Sequence, residues 1–348
     1  MNRRRFLALA GSSALLAGCA DTTDPATATP TPTAASDLPD GVYVQPYREG
    51  MAMQGTADAG DLRVAFMYTS PHRFWNVNGN EVSLTERSGN VHAMAAVWEP
   101  ETGRVVPETG LSLEIERDGD LVSQEVIYPM LSQRMGYHYG GNFDLSGGDG
   151  TAADGEYTAR VSVGGVPDAV ALTGAYEGRF RAPATAEIPF VFDEEQRERV
   201  RSEEIDAYGQ PGAVRPMDMM MPQAVAPPRD ALPGTVFGAP NRDDALLATG
   251  AVSGEAAARF GADTYLYVSP RTRYNGLELP AMALSATVGG ETVELRRTLD
   301  PELGFHYGAA VGELSGDIEL STGVPPQVAR HEGYERAFLE MPPATVTV

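Results

Sequence analysis

In the stretch PMLSQRMGYHYGG, residues 129–141, Met130 and His138 stand either side of a glycine. Fully extended, the chain between them would span roughly 26 Å, far more than one ion can bridge. Gly136 and the Ser-Gln-Arg stretch before it let the chain double back and bring the two together. Upstream, NVHAMAAVW places His92 and Met94 two residues apart, which on a strand puts both on one face about 7 Å apart. Imidazole and thioether are borderline-to-soft donors, so two His and two Met favour copper, Cu(I) above all, over cations that want carboxylates. An alternative applies to His138: a His flanked by aromatics in a Gly-bounded segment also serves to hydrogen-bond backbone. A shortened echo, GFHYG at 304–308, has no upstream Met, and His306 is expected to be structural. His72 and His331 read as surface or loop histidines. No G-x-S-x-G turn, phosphate-cradling loop or dinucleotide fingerprint accompanies these residues, so nothing supports an enzyme.

The elements that must position them are short alternating segments. Leu111, Leu113 and Ile115 share one face, Tyr157, Ala159, Val161 and Val163 another, and AEIPFVF ends the region. Asp118-Gly119 is a turn pair that predicts a hairpin over 111–128. The fold class expected is all-β: two immunoglobulin-like β-sandwich domains, at 41–193 and 232–348, joined by a helical and Pro/Met-rich linker at 194–231. Asp193 is placed to cap a helix over 193–205. PMDMMMPQ, 216–223, offers thioethers to a soft metal, though flexible Met in a Pro-rich segment more often serves packing. The second half echoes the first: FMYTSPHRFWN returns as YLYVSPRTRYN, GYHYG as GFHYG and YEGRF as YERAF, in one order. Duplication is the plain inference, with Ala281-Met282-Ala283 the expected counterpart of Ala93-Met94-Ala95, and LSATVGGETVEL that of LSLEIERDGDLV.

Residues 1–19 read as an address. Arg3-Arg4-Arg5 before a short apolar run is similar to a twin-arginine export signal, and Leu16-Ala17-Gly18-Cys19 resembles a lipobox. Cys19, the sole cysteine, is then a lipid anchor, and the mature chain is expected on the outer face of the membrane. Residues 20–40, rich in Thr, Ala and Pro, form an extended tether. The formal charge is -22 and all 26 basic residues are Arg, a Lys-free acidic surface that points to an extreme halophile. The same charge excludes nucleic acid as a partner.

VYVQPYREGMAM, NVHAM and the hairpin followed by Pro129-Met130 and His138-Tyr139-Gly140 resemble the periplasmic iron-transport family, immunoglobulin-like proteins that act beside a membrane iron permease. The resemblance covers roughly 42–190. It implies a copper or iron ion held by His92, Met94, Met130 and His138, with Met51 and Met53 as neighbours. Met94 stands where the family has Glu, and no His occurs between Gly164 and Ala184 to supply the family's late-loop ligand. The function expected is transition-metal binding that assists uptake by a membrane metal permease; the alternative is a cell-surface interaction module without metal. Oligomeric state stays open, a homodimer among the options.

Overall fold

The computed structural model describes residues 38–146 and 153–348; the expected signal, Cys19 and nearly all of the expected tether lie outside them. The described residues fold as an all-β sandwich, with only short helices between strands. No described helix is long and apolar enough to cross a membrane.

Alternation builds the first sandwich. Leu113 and Ile115 on the Leu111–Arg117 strand, and Tyr157, Ala159, Val161 and Val163 on Gly155–Val163, are buried. With Ala184–Phe192 and Asp120–Ser123 they form a four-stranded sheet. Asp118 and Gly119, at φ 53° and 87°, turn the hairpin as the pair demands. Phe66 and Tyr68, from the opposing sheet, pack on Phe190, with Phe66 at 4.9 Å between ring centroids. The inner face of that opposing sheet therefore belongs to the sandwich core, and its outer face carries His92.

That opposing sheet has eight strands. In order they are Ala52–Ala59, Leu62–Thr69, Val91–Trp98, Gly136–Phe143, Tyr128–Ser132, Ala329–Arg330, Phe74–Asn78 and Glu81–Thr85. One of these, Ala329–Arg330, comes from the C-terminal half and lies parallel to Tyr128–Ser132, Ala329 opposite Met130. The exchange is reciprocal. Ala171–Leu172 of the first half lies parallel to Glu291–Asp300 of the second, Ala171 opposite Thr298. Each exchanged strand leads into the repeated Tyr-x3-Phe motif, with Tyr176–Phe180 and Tyr334–Phe338 ring centroids 5.3 and 5.4 Å apart. Phe180 and Phe338 both take positive φ, 59° and 64°. The halves thus interlock instead of closing as separate sandwiches.

The segment between them is no free linker. Asp193 does cap a helix, its side chain accepting from the Gln196 N–H, but the helix ends at Arg199. Ser202–Glu204 then pairs with Tyr47–Glu49, and the chain that follows is bonded to the first half, Gly209 N–H to Val44 O among others.

Strand register corrects part of the expected repeat. Tyr139, Gly140 and Asn142 face Ala95, Met94 and His92; Tyr307, Gly308 and Ala310 face Val268, Tyr267 and Tyr265. Thr264–Thr272 therefore stands where Val91–Trp98 stands, not where Leu62–Thr69 does, although FMYTSP and YLYVSP look alike. Ala281 likewise matches Glu108, both at positive φ just before equivalent strands, and not Ala93. Ala283–Val288 and Glu291–Asp300 do form the hairpin that LSATVGGETVEL led one to expect.

Candidate metal centre

Met130 and His138 are register partners across a tight turn in which Gly136 takes φ 71°, so the chain doubles back between them. His92 arrives on the neighbouring strand, opposite Asn142. All three side chains point to the outer face of the sheet. The close approach depends on Gly140: a Cβ there would stand 2.7 Å from His92 Nε2 and 2.8 Å from the Met130 sulfur. Gly140 therefore has to be glycine for those two donors to meet above it.

Two further histidines, expected as surface or loop residues, complete the group: both lie on loops, but their rings turn inward. His72 follows the Leu62–Thr69 strand on the loop into the Phe74–Asn78 strand. His331 follows the exchanged strand Ala329–Arg330 and is only 8% exposed. Ring nitrogens of His72, His92 and His331 lie within 4.8 Å of one another. His331 Nε2 is 3.3 Å from the Met130 sulfur, and the His138 and His331 rings are 5.1 Å apart. Donors sharing one tetrahedral ion stand roughly 3.3 Å apart, the separation that His331 Nε2 and the Met130 sulfur already have. Arg73 and Glu332, the residues after His72 and His331, form an ion pair at 2.9 Å that clamps the two loops together.

Second partners fix which nitrogen of each ring is free. The Asn142 amide donates from Nδ2 to the carbonyls of His72 and Glu86, which leaves its Oδ1 to accept from His92 Nδ1 at 2.9 Å. His138 Nδ1 donates to Gly136 O at 3.0 Å. His72 Nδ1 lies 3.2 Å from Ser70 O and 3.3 Å from a Glu49 carboxylate oxygen. Each ring thus carries its proton on Nδ1 and leaves a lone pair on Nε2, the arrangement that outer partners impose on metal-binding histidines. The Nε2 atoms of His72, His92 and His138 are buried and have no hydrogen-bond partner. Such an atom ordinarily costs about 1–3 kcal/mol. Burial also keeps the His92, His138 and His331 rings neutral: it presses His138 down to about 4, and holds His92 and His331 well below the usual histidine range, with neighbouring histidines adding to the effect.

The second half supplies an internal control. His306 repeats the bond of His138, Nδ1 to Gly304 O at 3.0 Å. Its Nε2, however, accepts from the Tyr265 hydroxyl at 3.1 Å, and the Thr298 hydroxyl lies 3.3 Å from the same oxygen. By register Tyr265 occupies the place of His92, and Thr298 that of Met130. Thr173, in the place of His331, donates to Asp300 at 2.8 Å. Here hydroxyls fill the positions that donors hold in the first half, and His306 is structural.

Of the residues picked out by sequence, His92, Met130 and His138 are brought together. Met94 shares their face and stands directly opposite Gly140, packed with the main core. Met53 is separated from Met94 by Met67, its partner on both sides, roughly 10 Å away; Met51 and Met53 are half-buried against the main core. His72 and His331 were missed because neither sits in the GYHYG or HAM context. The one local sign is that Arg follows the first and Glu the second.

A family model described as a domain of unknown function (DUF7350) matches residues 230–347, the part of the chain that contributes His331 but none of the other four donors. No curated protein and no solved structure matches the chain.

Proposed function

We propose that this protein binds one transition-metal ion, copper in preference to ferrous iron, between His72, His92, His138, His331 and Met130, and holds it for delivery to a membrane metal permease. The observation that carries the reading is the set of three buried, partnerless Nε2 atoms of His72, His92 and His138, beside a fourth ring, His331, whose Nε2 lies 3.3 Å from the Met130 sulfur. Imidazole and thioether favour copper, and the Glu49 carboxylate touches the far nitrogen of His72, not the one that faces the cluster. A bound ion would relieve the cost of those orphaned atoms. The late-loop histidine that the iron-transport resemblance implies has a counterpart in His331, supplied by the other half of the chain. An extracytoplasmic position, tethered by lipid on Cys19, belongs to the same proposal. The metal is cargo and undergoes no turnover.

The test is competition titration of Cu(I), Cu(II) and Fe(II) against the full chain in high salt. His92→Ala and His138→Ala should each weaken copper binding by about 100-fold or more, since each removes a direct ligand whose mere outer partners are worth about 10–100-fold. Tyr265→Phe, in the second half, should leave affinity unchanged. Wild-type affinity in both alanine variants would refute the proposal.

A further inference from the structure

The geometry points to a second soft-metal site: the loop Met217–Met221 captures Cu(I) through its thioethers and passes it to the histidine centre. The loop is built, not loose. Met217 N–H donates to Arg134 O at 2.8 Å, and Gln223 Nε2 donates to both Met217 O and Arg134 O at 2.9 Å, closing the loop on itself. Packing accounts for only part of it. Met221 is 5% exposed and Met219 rests on the core, but Met220 is 94% exposed and Met217 half-buried. A methionine held almost wholly in water contributes nothing to the core and presents its sulfur to solvent. Asp218, exposed beside it, adds a negative charge that attracts a cation without offering a soft donor of its own.

The loop also lies in the right place. The Arg134 residue that holds Met217 through its carbonyl donates its guanidinium to Glu49 O at 2.6 Å. The Glu49 carboxylate in turn contacts His72, the histidine of the centre left least buried. Met51, two residues past Glu49, is half-buried against the core. Arg134 and Glu49 thus link the thioether loop to His72, the least buried of the ligands. Neutral thioethers alone hold Cu(I) weakly, whereas imidazoles with a thioether hold it more strongly, so the ion passes inward as Cu(I) with no electron transferred. The hand-over rests on the proposed function; capture by the loop does not.

Anaerobic titration of the full chain with Cu(I), against a chromogenic Cu(I) chelator, tests it. Wild type should take up two equivalents. A Met217→Leu, Met219→Leu, Met220→Leu variant, nearly volume-conserving, should take up one and load the histidine centre several-fold more slowly, with Cu(II) affinity unchanged. Combining it with His92→Ala and His138→Ala should remove both equivalents. A leucine variant that keeps both equivalents and the wild-type loading rate would overturn the inference. Loss of one equivalent in the leucine variant, alongside wild-type binding in the histidine variants, would uphold the loop and refute the centre.

Discussion

At the residue scale, the same pentapeptide frame, Gly-aromatic-His-Tyr-Gly, yields two different histidines. What separates His138 from His306 is the atom opposite Nε2, a hydroxyl in one case and no hydrogen-bond partner in the other. Gly140 makes the difference sterically testable. Its backbone lies outside the positive-φ region, so alanine is conformationally allowed, but the added Cβ would push on His92 Nε2 and the Met130 sulfur together. Gly140→Ala should therefore fold, and should lose copper affinity by about ten-fold or more for each roughly 1.4 kcal/mol of displacement it forces, read in the same competition titration. Burial of the histidines predicts a pH signature as well. In the unfolded chain they protonate near 6.5, in the folded chain His138 only near 4. A base whose folded pKa is depressed contributes stability that is full above the unfolded value and is lost as pH falls through that window. Metal-free protein should thus lose stability from about pH 6.5 toward 4, and NMR titration should show His138 still neutral at pH 5.5. A His138 midpoint near 6.5 would contradict the buried geometry.

At the element scale, what was legible in sequence is what a single strand or hairpin determines. Alternation placed His92 and Met94 on one face, Asp118-Gly119 marked a turn, and Gly136 permitted the reversal that pairs Met130 with His138. What was illegible depends on strands far apart in sequence. YLYVSP resembles FMYTSP because both are buried, aromatic-rich segments that run into Ser-Pro; only hydrogen-bond register shows that the former takes the place of the His92 strand. That register supports a reconstruction. Tyr265→His, Thr298→Met and Thr173→His would give His306 the partners that His138 has. The triple variant should bind one more copper ion than wild type, counted by metal analysis after desalting, if the strands and not the surroundings define the centre. An unchanged count would mean that the His72 loop, which the second half lacks, is indispensable.

At the scale of the whole molecule, the halves relate to each other as the subunits of an isologous dimer, each giving a strand and a Tyr-x3-Phe segment to its neighbour. This is why a search confined to residues 41–193 finds too few ligands: the fifth donor lies in the other half, beyond any local pattern. His72 was hidden for a related reason. It sits on the loop that leads into a hairpin which, among the described residues, only the first half has, and Arg73 reaches across to Glu332 to hold it against His331. Because the exchanged strand brings a ligand with it, an ion bound at the centre grips both halves at once. Anything that favours the loaded state also favours the docked state, by an amount that grows with the logarithm of free metal over its dissociation constant. Cargo therefore doubles as a fastener, and a receptor that prised the C-terminal segment away from Met130 would withdraw one imidazole and loosen the ion in a single movement.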